Sequence, residues 1–116
     1  MGESYRDLVV WQRSIQMTTA IYKLTEGFPK SEVYGLSSQV RRAGVSVASN
    51  IAEGYGRLST GEYKQFLGMA RGSNLEVQTQ LVIAKELGFG DTEKLKNADS
   101  LSQEVGKMLA AILNRL

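Results

Sequence analysis

The residues best suited to chemistry lie along one face of a helical segment in the middle of the chain. With an advance of roughly 100° per residue, one sector of this segment carries polar residues: Gln39, Arg42, Ser46, Ser49, Asn50 and Glu53. An ordinary surface helix would mix long charged side chains there, whereas here short hydroxyl and amide groups lie between one arginine and one glutamate. The pattern therefore indicates groups that meet partners rather than bulk water.

Two interpretations of this polar sector stay open. The first is a hydrogen-bonded network between two helices that fixes their register, made of Arg42, Ser46, Asn50, Glu53, Ser73 and Glu76. In the second, Arg42 faces a phosphate. Carboxylates such as Glu53 and Glu76 also suggest metal or acid–base chemistry, but carboxylate-bridged metal bundles need more ligands and usually Glu-x-x-His pairs.

Composition excludes several classes of function. The chain has 116 residues with neither histidine nor cysteine, which removes the commonest general base and metal ligand as well as disulfides and thiolate sites. No nucleophile–base pair stands out, so we predict no enzyme, no metal and no cofactor. No apolar run reaches the ~18 residues of a membrane span, and the expectation is a single cytoplasmic domain over residues 1–116 with no membrane partner.

Positive charge is concentrated in the middle of the chain. Residues 39–72 carry five basic and two acidic side chains, for a net +3, whereas the whole chain carries +2. A locally basic surface favours the binding of polyanions such as nucleic acids. The candidates for phosphate contact are Arg41, Arg42, Arg57, Lys64 and Arg71. Solvated surface charge is the alternative interpretation.

The elements that would position these residues are four helices joined by short loops. The first should run from about Asp7 to Glu26, and Ser31 can cap the second, which ends at residues 54–56. A capping box of Ser59 with Glu62 opens the third helix, and Asp91 can cap the fourth. No segment alternates like a strand, so the pattern predicts an all-α, antiparallel up-down-up-down four-helix bundle.

Apolar residues cover too much of two helices for a single core. Helix 3 has apolar side chains on both flanks of its main stripe. Helix 1 carries one stripe of Leu8, Trp11, Ile15 and Tyr22 and a second, offset stripe of Val10, Met17, Ile21 and Leu24. A bare apolar surface of that size invites aggregation, so we predict self-association. Gly68 and Gly72 lie four residues apart on helix 3, and their spacing predicts close packing against another helix.

Four motifs resemble one known family. They are DLVVWQR at residues 7–13, FPKSEVYGL at 28–36, QVRRAGVSVASNIAEG at 39–54, and ARGSNLE with KELG at 70–76 and 85–88. Together they resemble the four-helix-bundle proteins encoded within intervening sequences of bacterial 23S ribosomal RNA genes, often labelled ribosomal-protein-like. The resemblance covers roughly residues 5–90.

The resemblance implies a bundle assembled as a homopentameric ring. The family is also similar to the accessory protein of diversity-generating retroelements, which binds nucleic acid and a reverse transcriptase. Its basic positions line the assembly, and Arg41, Arg42 and Arg57 would be their counterparts here.

Two functional hypotheses follow. The first is a non-enzymatic, oligomeric accessory protein that binds the backbone of RNA or DNA, with low sequence specificity because few exposed aromatic or amide side chains are evident. Its binding should be sensitive to salt and should weaken when Arg41 and Arg57 become alanine. The second is a protein-interaction scaffold without direct nucleic-acid binding, for instance one that holds a reverse transcriptase.

Overall fold

Four long helices form an antiparallel bundle in the computed structural model, which describes residues 4–116. A 3₁₀ turn at Tyr5–Asp7 leads into the helices, which are α1 (Val9–Thr25), α2 (Leu36–Tyr55), α3 (Thr60–Leu87) and α4 (Thr92–Arg115). Each helix packs on its neighbours in the cyclic order α1–α2–α3–α4. Residues 4–116 contain no strand, so the prediction of an all-α four-helix bundle is confirmed for this part of the chain.

One apolar core runs along the bundle and contains side chains from all four helices. The largest fully buried side chains include Met17, Ile21, Ile51, Leu81 and Leu109. Burying an aliphatic side chain of this size stabilises the fold by about 1.5–3 kcal/mol. The outward faces of the helices are therefore available for ligand binding, for self-association or for contact with solvent.

Two of the predicted helix starts are confirmed. The Ser59 hydroxyl accepts a hydrogen bond from the Glu62 backbone N–H at 3.1 Å, and the Asp91 carboxylate accepts one from the Lys94 N–H at 3.0 Å. The Glu62 carboxylate contacts the Ser59 hydroxyl at 3.4 Å, so the capping box forms in part. Gly88 ends α3 with φ of 72°, in the left-handed region that favours glycine.

The predicted cap of α2 at Ser31 is wrong. Ser31 lies within a 3₁₀ turn at Lys30–Glu32, and α2 begins only at Leu36. Glu32 takes over the capping role, because its carboxylate accepts the free Leu36 N–H at 2.9 Å. The Glu32 side chain is long enough to reach across the turn that follows Pro29. Ser31 has a shorter side chain, lies one residue earlier and does not make this contact.

A buried polar pair fixes α3 against α4. The Asn74 amide donates to the Ser102 carbonyl at 2.9 Å, and the Ser102 hydroxyl donates to the Asn74 side-chain oxygen at 2.9 Å. Gly106 leaves room for this pair, since a Cβ there would lie 3.2 Å from the Asn74 amide nitrogen. Because unpaired polar groups are costly in a core, the pair specifies one register of the two helices.

The tightest approach between α2 and α3 generates a prediction about stability. A Cβ on Gly54 would lie 2.7 Å from Phe66 Cβ and 3.2 Å from Tyr63 Cδ1, so Gly54→Ala must push α3 away. We expect it to lower the free energy of unfolding by about 1–3 kcal/mol, measured by urea denaturation. Gly61→Ala is the control, because its Cβ would have its nearest neighbour at 4.0 Å; an equal loss in both variants would contradict the packing argument.

Candidate functional site

Arg41 is held rigidly at the interface of α1 and α2. Its Nε donates to the Thr25 hydroxyl at 2.7 Å, and its Nη2 donates to the Tyr22 carbonyl at 3.5 Å. The guanidinium also lies over the Tyr22 ring, with Cζ 4.5 Å from the ring centroid. A cation over an aromatic face is stabilised by about 0.5–2 kcal/mol, so Arg41 presents its charge in a fixed position.

An open groove of about 440 Å³ surrounds this arginine. Its lining comprises Tyr22, Val33, Ser38, Arg41, Arg42, Val45 and Ser46. The groove contains two guanidinium groups and three hydroxyls, and none of its lining residues is acidic. Arg42 is exposed and forms no hydrogen bond or ion pair with any other described residue. We call this feature the arginine groove.

Two tyrosines of the α1–α2 hairpin are exposed aromatic residues that the sequence interpretation missed. Tyr34 follows the groove residue Val33 directly and is 95% exposed, and Tyr22 is 41% exposed. The sequence pattern had placed Tyr22 in an apolar stripe and had found few exposed aromatic side chains. The structure corrects this point, because the Tyr22 ring lies beneath Arg41 and the Tyr34 ring is almost fully exposed.

Arg57 has a different environment from Arg41 and Arg42. Its Nη2 pairs with the Glu53 carboxylate at 2.9 Å, and its guanidinium lies 4.6 Å from the Phe66 ring centroid. Glu53 thus compensates the charge of Arg57 locally. The spacing of four residues between them is the ordinary spacing of a helical ion pair, and it was available in the sequence.

Lys64 and Arg71 lie on α3, outside the lining of the arginine groove. Both are exposed and unpaired among the described residues. Arg71 lines a groove between α3 and α4 together with Gln78, Gln103 and Lys107. The five basic candidates therefore do not form one patch, since only Arg41 and Arg42 share a groove.

The polar sector of α2 forms a shorter hydrogen-bonded chain than the sequence predicted. The Ser46 and Ser73 hydroxyls lie 2.9 Å apart, and the Asn50 amide donates to the Ser46 carbonyl at 2.9 Å and to its hydroxyl at 3.0 Å. Three of the predicted residues thus connect α2 with α3.

The remaining three members of the predicted network, Arg42, Glu53 and Glu76, stay outside it. Glu53 is paired with Arg57, while Arg42 and Glu76 are exposed and unpaired among the described residues. The register contact is therefore made by short side chains, and Arg42 remains available to a ligand. Across residues 4–116, no three acidic side chains cluster closely enough to hold a metal ion.

A row of small and apolar side chains runs along the outward face of α3, which we call the outer face of α3. It consists of Gly68, Gly72, Leu75, Thr79, Val82 and Ile83. Leu75, Val82 and Ile83 are 53%, 57% and 42% exposed. A Cβ on either glycine would meet nothing within 4 Å, so the predicted close packing at Gly68 and Gly72 does not occur inside the bundle.

An apolar groove of about 280 Å³ lies between α1 and α2. Its walls include Trp11, Ile15, Val45 and Ala48. Ile15 and Val45 are half-exposed in it. No helix within residues 4–116 combines the length and apolar character that a membrane span requires.

Residues 6–111 match the family described as 23S rRNA-intervening sequence protein. The chain belongs to this family. A solved structure from Bacteroides thetaiotaomicron, described as a protein with unknown function from the S23 ribosomal protein family, is similar in fold. It is 23% identical, the match covers 90% of this chain and 98% of that one, and the TM-score is 0.80. A comparison with curated proteins finds no match.

The hydrogen bond from Arg41 to Thr25 makes a prediction about the rigidity of the site. Thr25→Val keeps the shape of the side chain and removes the acceptor, so the Arg41 Nε–H should lose its protection from solvent exchange, measured by NMR. Thr79→Val is the matched control, because the Thr79 hydroxyl bonds only to the Leu75 carbonyl on the outer face of α3. Unchanged exchange at Arg41 in Thr25→Val would show that this bond does not hold the guanidinium.

Proposed function

We propose that this protein is a non-enzymatic, oligomeric accessory protein that binds the backbone of RNA or DNA. The observation that carries the proposal is the arginine groove, in which Arg41 and Arg42 face solvent with no acidic residue in the lining. Arginine suits phosphate because its planar guanidinium offers several donors in a fixed fork.

The fixed position of Arg41 favours binding for an entropic reason. Ordering a free, rotamer-rich side chain at an interface costs about 0.5–1.5 kcal/mol. Contacts with Thr25 and Tyr22 already order Arg41 in the free protein. Binding a phosphate therefore requires little further loss of side-chain entropy at Arg41. Arg42 then supplies a second, adaptable cation beside it.

Self-association would multiply this modest charge. The outer face of α3 and the apolar groove between α1 and α2 are different surfaces of the bundle, so a head-to-tail contact would place the outer face of one copy in the groove of the next. Such heterologous contacts produce rings when the rotation closes, and the family resemblance supports five subunits. Several linked copies of one weak site bind a polyanion more tightly than a single copy.

A protein-interaction scaffold is the second candidate, favoured by the same outer face of α3. A partner protein, such as a reverse transcriptase, would cover the half-exposed Leu75, Val82 and Ile83. In that case the apolar face would be needed for the partner, and the arginine groove would not be needed for nucleic acid.

Binding should depend on salt and on the arginine groove. We expect Arg42→Ala and Arg41→Ala each to weaken binding of a fluorescent oligonucleotide, measured by anisotropy. Two phosphates neutralised per subunit predict a slope of about −1.8 in log K against log salt for a duplex and about −1.4 for a single strand. The double variant should flatten this slope.

Lys23→Ala is the matched control for these variants, because Lys23 is an exposed lysine on α1 outside the arginine groove. Arg57→Ala should have a smaller effect than Arg41→Ala, since Glu53 already compensates the charge of Arg57. Binding that ignores both salt and the groove variants would contradict the proposal and favour the scaffold.

Self-association should require the outer face of α3. Leu75→Arg places a charge on a side chain that is 53% exposed in the single chain, so the bundle should fold and the oligomer should dissociate, measured by analytical ultracentrifugation. Leu58→Arg is the control, because Leu58 is fully exposed in the loop between α2 and α3. A wild-type chain that stays monomeric at high concentration would rule out the ring.

A further inference from the structure

We infer that the arginine groove binds single-stranded nucleic acid in preference to duplex, with one unstacked base lying on Arg41 and a second on Tyr34. The inference rests on the proposed function and specifies its ligand. It is carried by three features of the α1–α2 hairpin: a flat guanidinium held over Tyr22, an open aromatic ring next in sequence to a groove residue, and an adjacent free cation.

The first step concerns the Arg41–Tyr22 pair. The guanidinium lies 4.5 Å from the centroid of the Tyr22 ring, and two hydrogen bonds to Thr25 and Tyr22 hold its position. A guanidinium plane supported in this way is a platform on which a nucleobase can stack. The base would form the third layer above Arg41 and Tyr22.

The second step concerns Tyr34. A tyrosine that is 95% exposed contributes almost nothing to the core, and its neighbour Val33 lines the arginine groove. Aromatic side chains interleaved with basic residues are the usual surface for single strands, because every base has a face that can stack. Tyr34 therefore offers a second stacking position, on the loop that contributes Val33 to the arginine groove.

The third step concerns the phosphates. Arg42 and Ser38 both line the arginine groove, and Arg42 is unpaired among the described residues, so both can bind the backbone between two stacked bases. The volume of about 440 Å³ lies within the usual range of about 300–1,000 Å³ for small-ligand sites. A duplex keeps its bases stacked inside, so it could use the cations but not the two platforms.

The test compares three probes of equal length by anisotropy at one salt concentration: a single-stranded DNA oligonucleotide, the same strand annealed to its complement, and a single strand whose central nucleotides are abasic. We expect the intact single strand to bind at least tenfold more tightly than either of the others. The abasic probe keeps its phosphates, so it isolates the contribution of the bases.

Two substitutions test which residues contact the bases. Tyr34→Ala should weaken binding of the intact single strand about tenfold, in line with the loss of one stacked base, and should leave duplex and abasic binding unchanged. Arg41→Lys keeps the charge but removes both the planar platform and the guanidinium fork, so it should weaken binding of the intact single strand more than binding of the duplex or the abasic strand. Tyr34→Phe keeps the ring and should bind like the wild type.

The outcomes separate this inference from the proposed function. Equal, salt-sensitive binding of all three probes would overturn the stacking inference and leave the backbone-binding function standing. A uniform loss across all probes in Tyr34→Ala would also overturn the inference. Failure of the wild type to bind any probe would overturn the proposed function itself.

Discussion

The close approach of α1 and α2 at Gly44 is the constraint on which the arginine groove depends. A Cβ at Gly44 would lie 3.1 Å from Ile21 Cδ1 and 3.2 Å from the Thr18 hydroxyl. The two helices are antiparallel, so Arg41, one turn before Gly44, faces Thr25, one turn after Ile21. At this separation the Arg41 Nε reaches the Thr25 hydroxyl at 2.7 Å. A wider pair would release the guanidinium and remove the platform above Tyr22.

Packing and binding use different surfaces of the same bundle. The Asn74–Ser102 pair and the Ser46–Ser73 contact fix the register of α3 with short, satisfied side chains. This leaves the long side chains of α2 free to face outward. The outer face of α3 lies away from the arginine groove, so a second subunit could cover it without displacing Arg42. The apolar groove between α1 and α2, by contrast, shares Val45 with the arginine groove, so a subunit seated there would border Arg41 and Arg42.

The sequence predicts the fold better than the candidate site, for a physical reason. Helix ends such as those at Ser59 and Asp91 depend on local hydrogen bonds, which a few consecutive residues encode. Ser31 fails as a cap because a 3₁₀ turn delays α2, and that delay depends on how the loop crosses the end of the bundle. The position of Arg41 over Tyr22 depends on the separation of α1 and α2, and the exposure of Tyr34 depends on the path of the loop before α2. The hydrophobic periodicity of the sequence specifies neither. The pairing of Arg57 with Glu53 was available from their spacing alone.

The low net charge of the chain is compatible with nucleic-acid binding once charge is considered locally. The value of +2 averages over 14 basic and 12 acidic residues, and most of these groups lie outside the arginine groove. A phosphate responds mainly to charges within about one Debye length, which is about 8 Å at physiological ionic strength. Arg41 and Arg42 share a groove whose lining has no carboxylate. Stacking on Arg41 and Tyr34 would add affinity that salt screens only weakly, so a modest cation count and a useful affinity are consistent with each other.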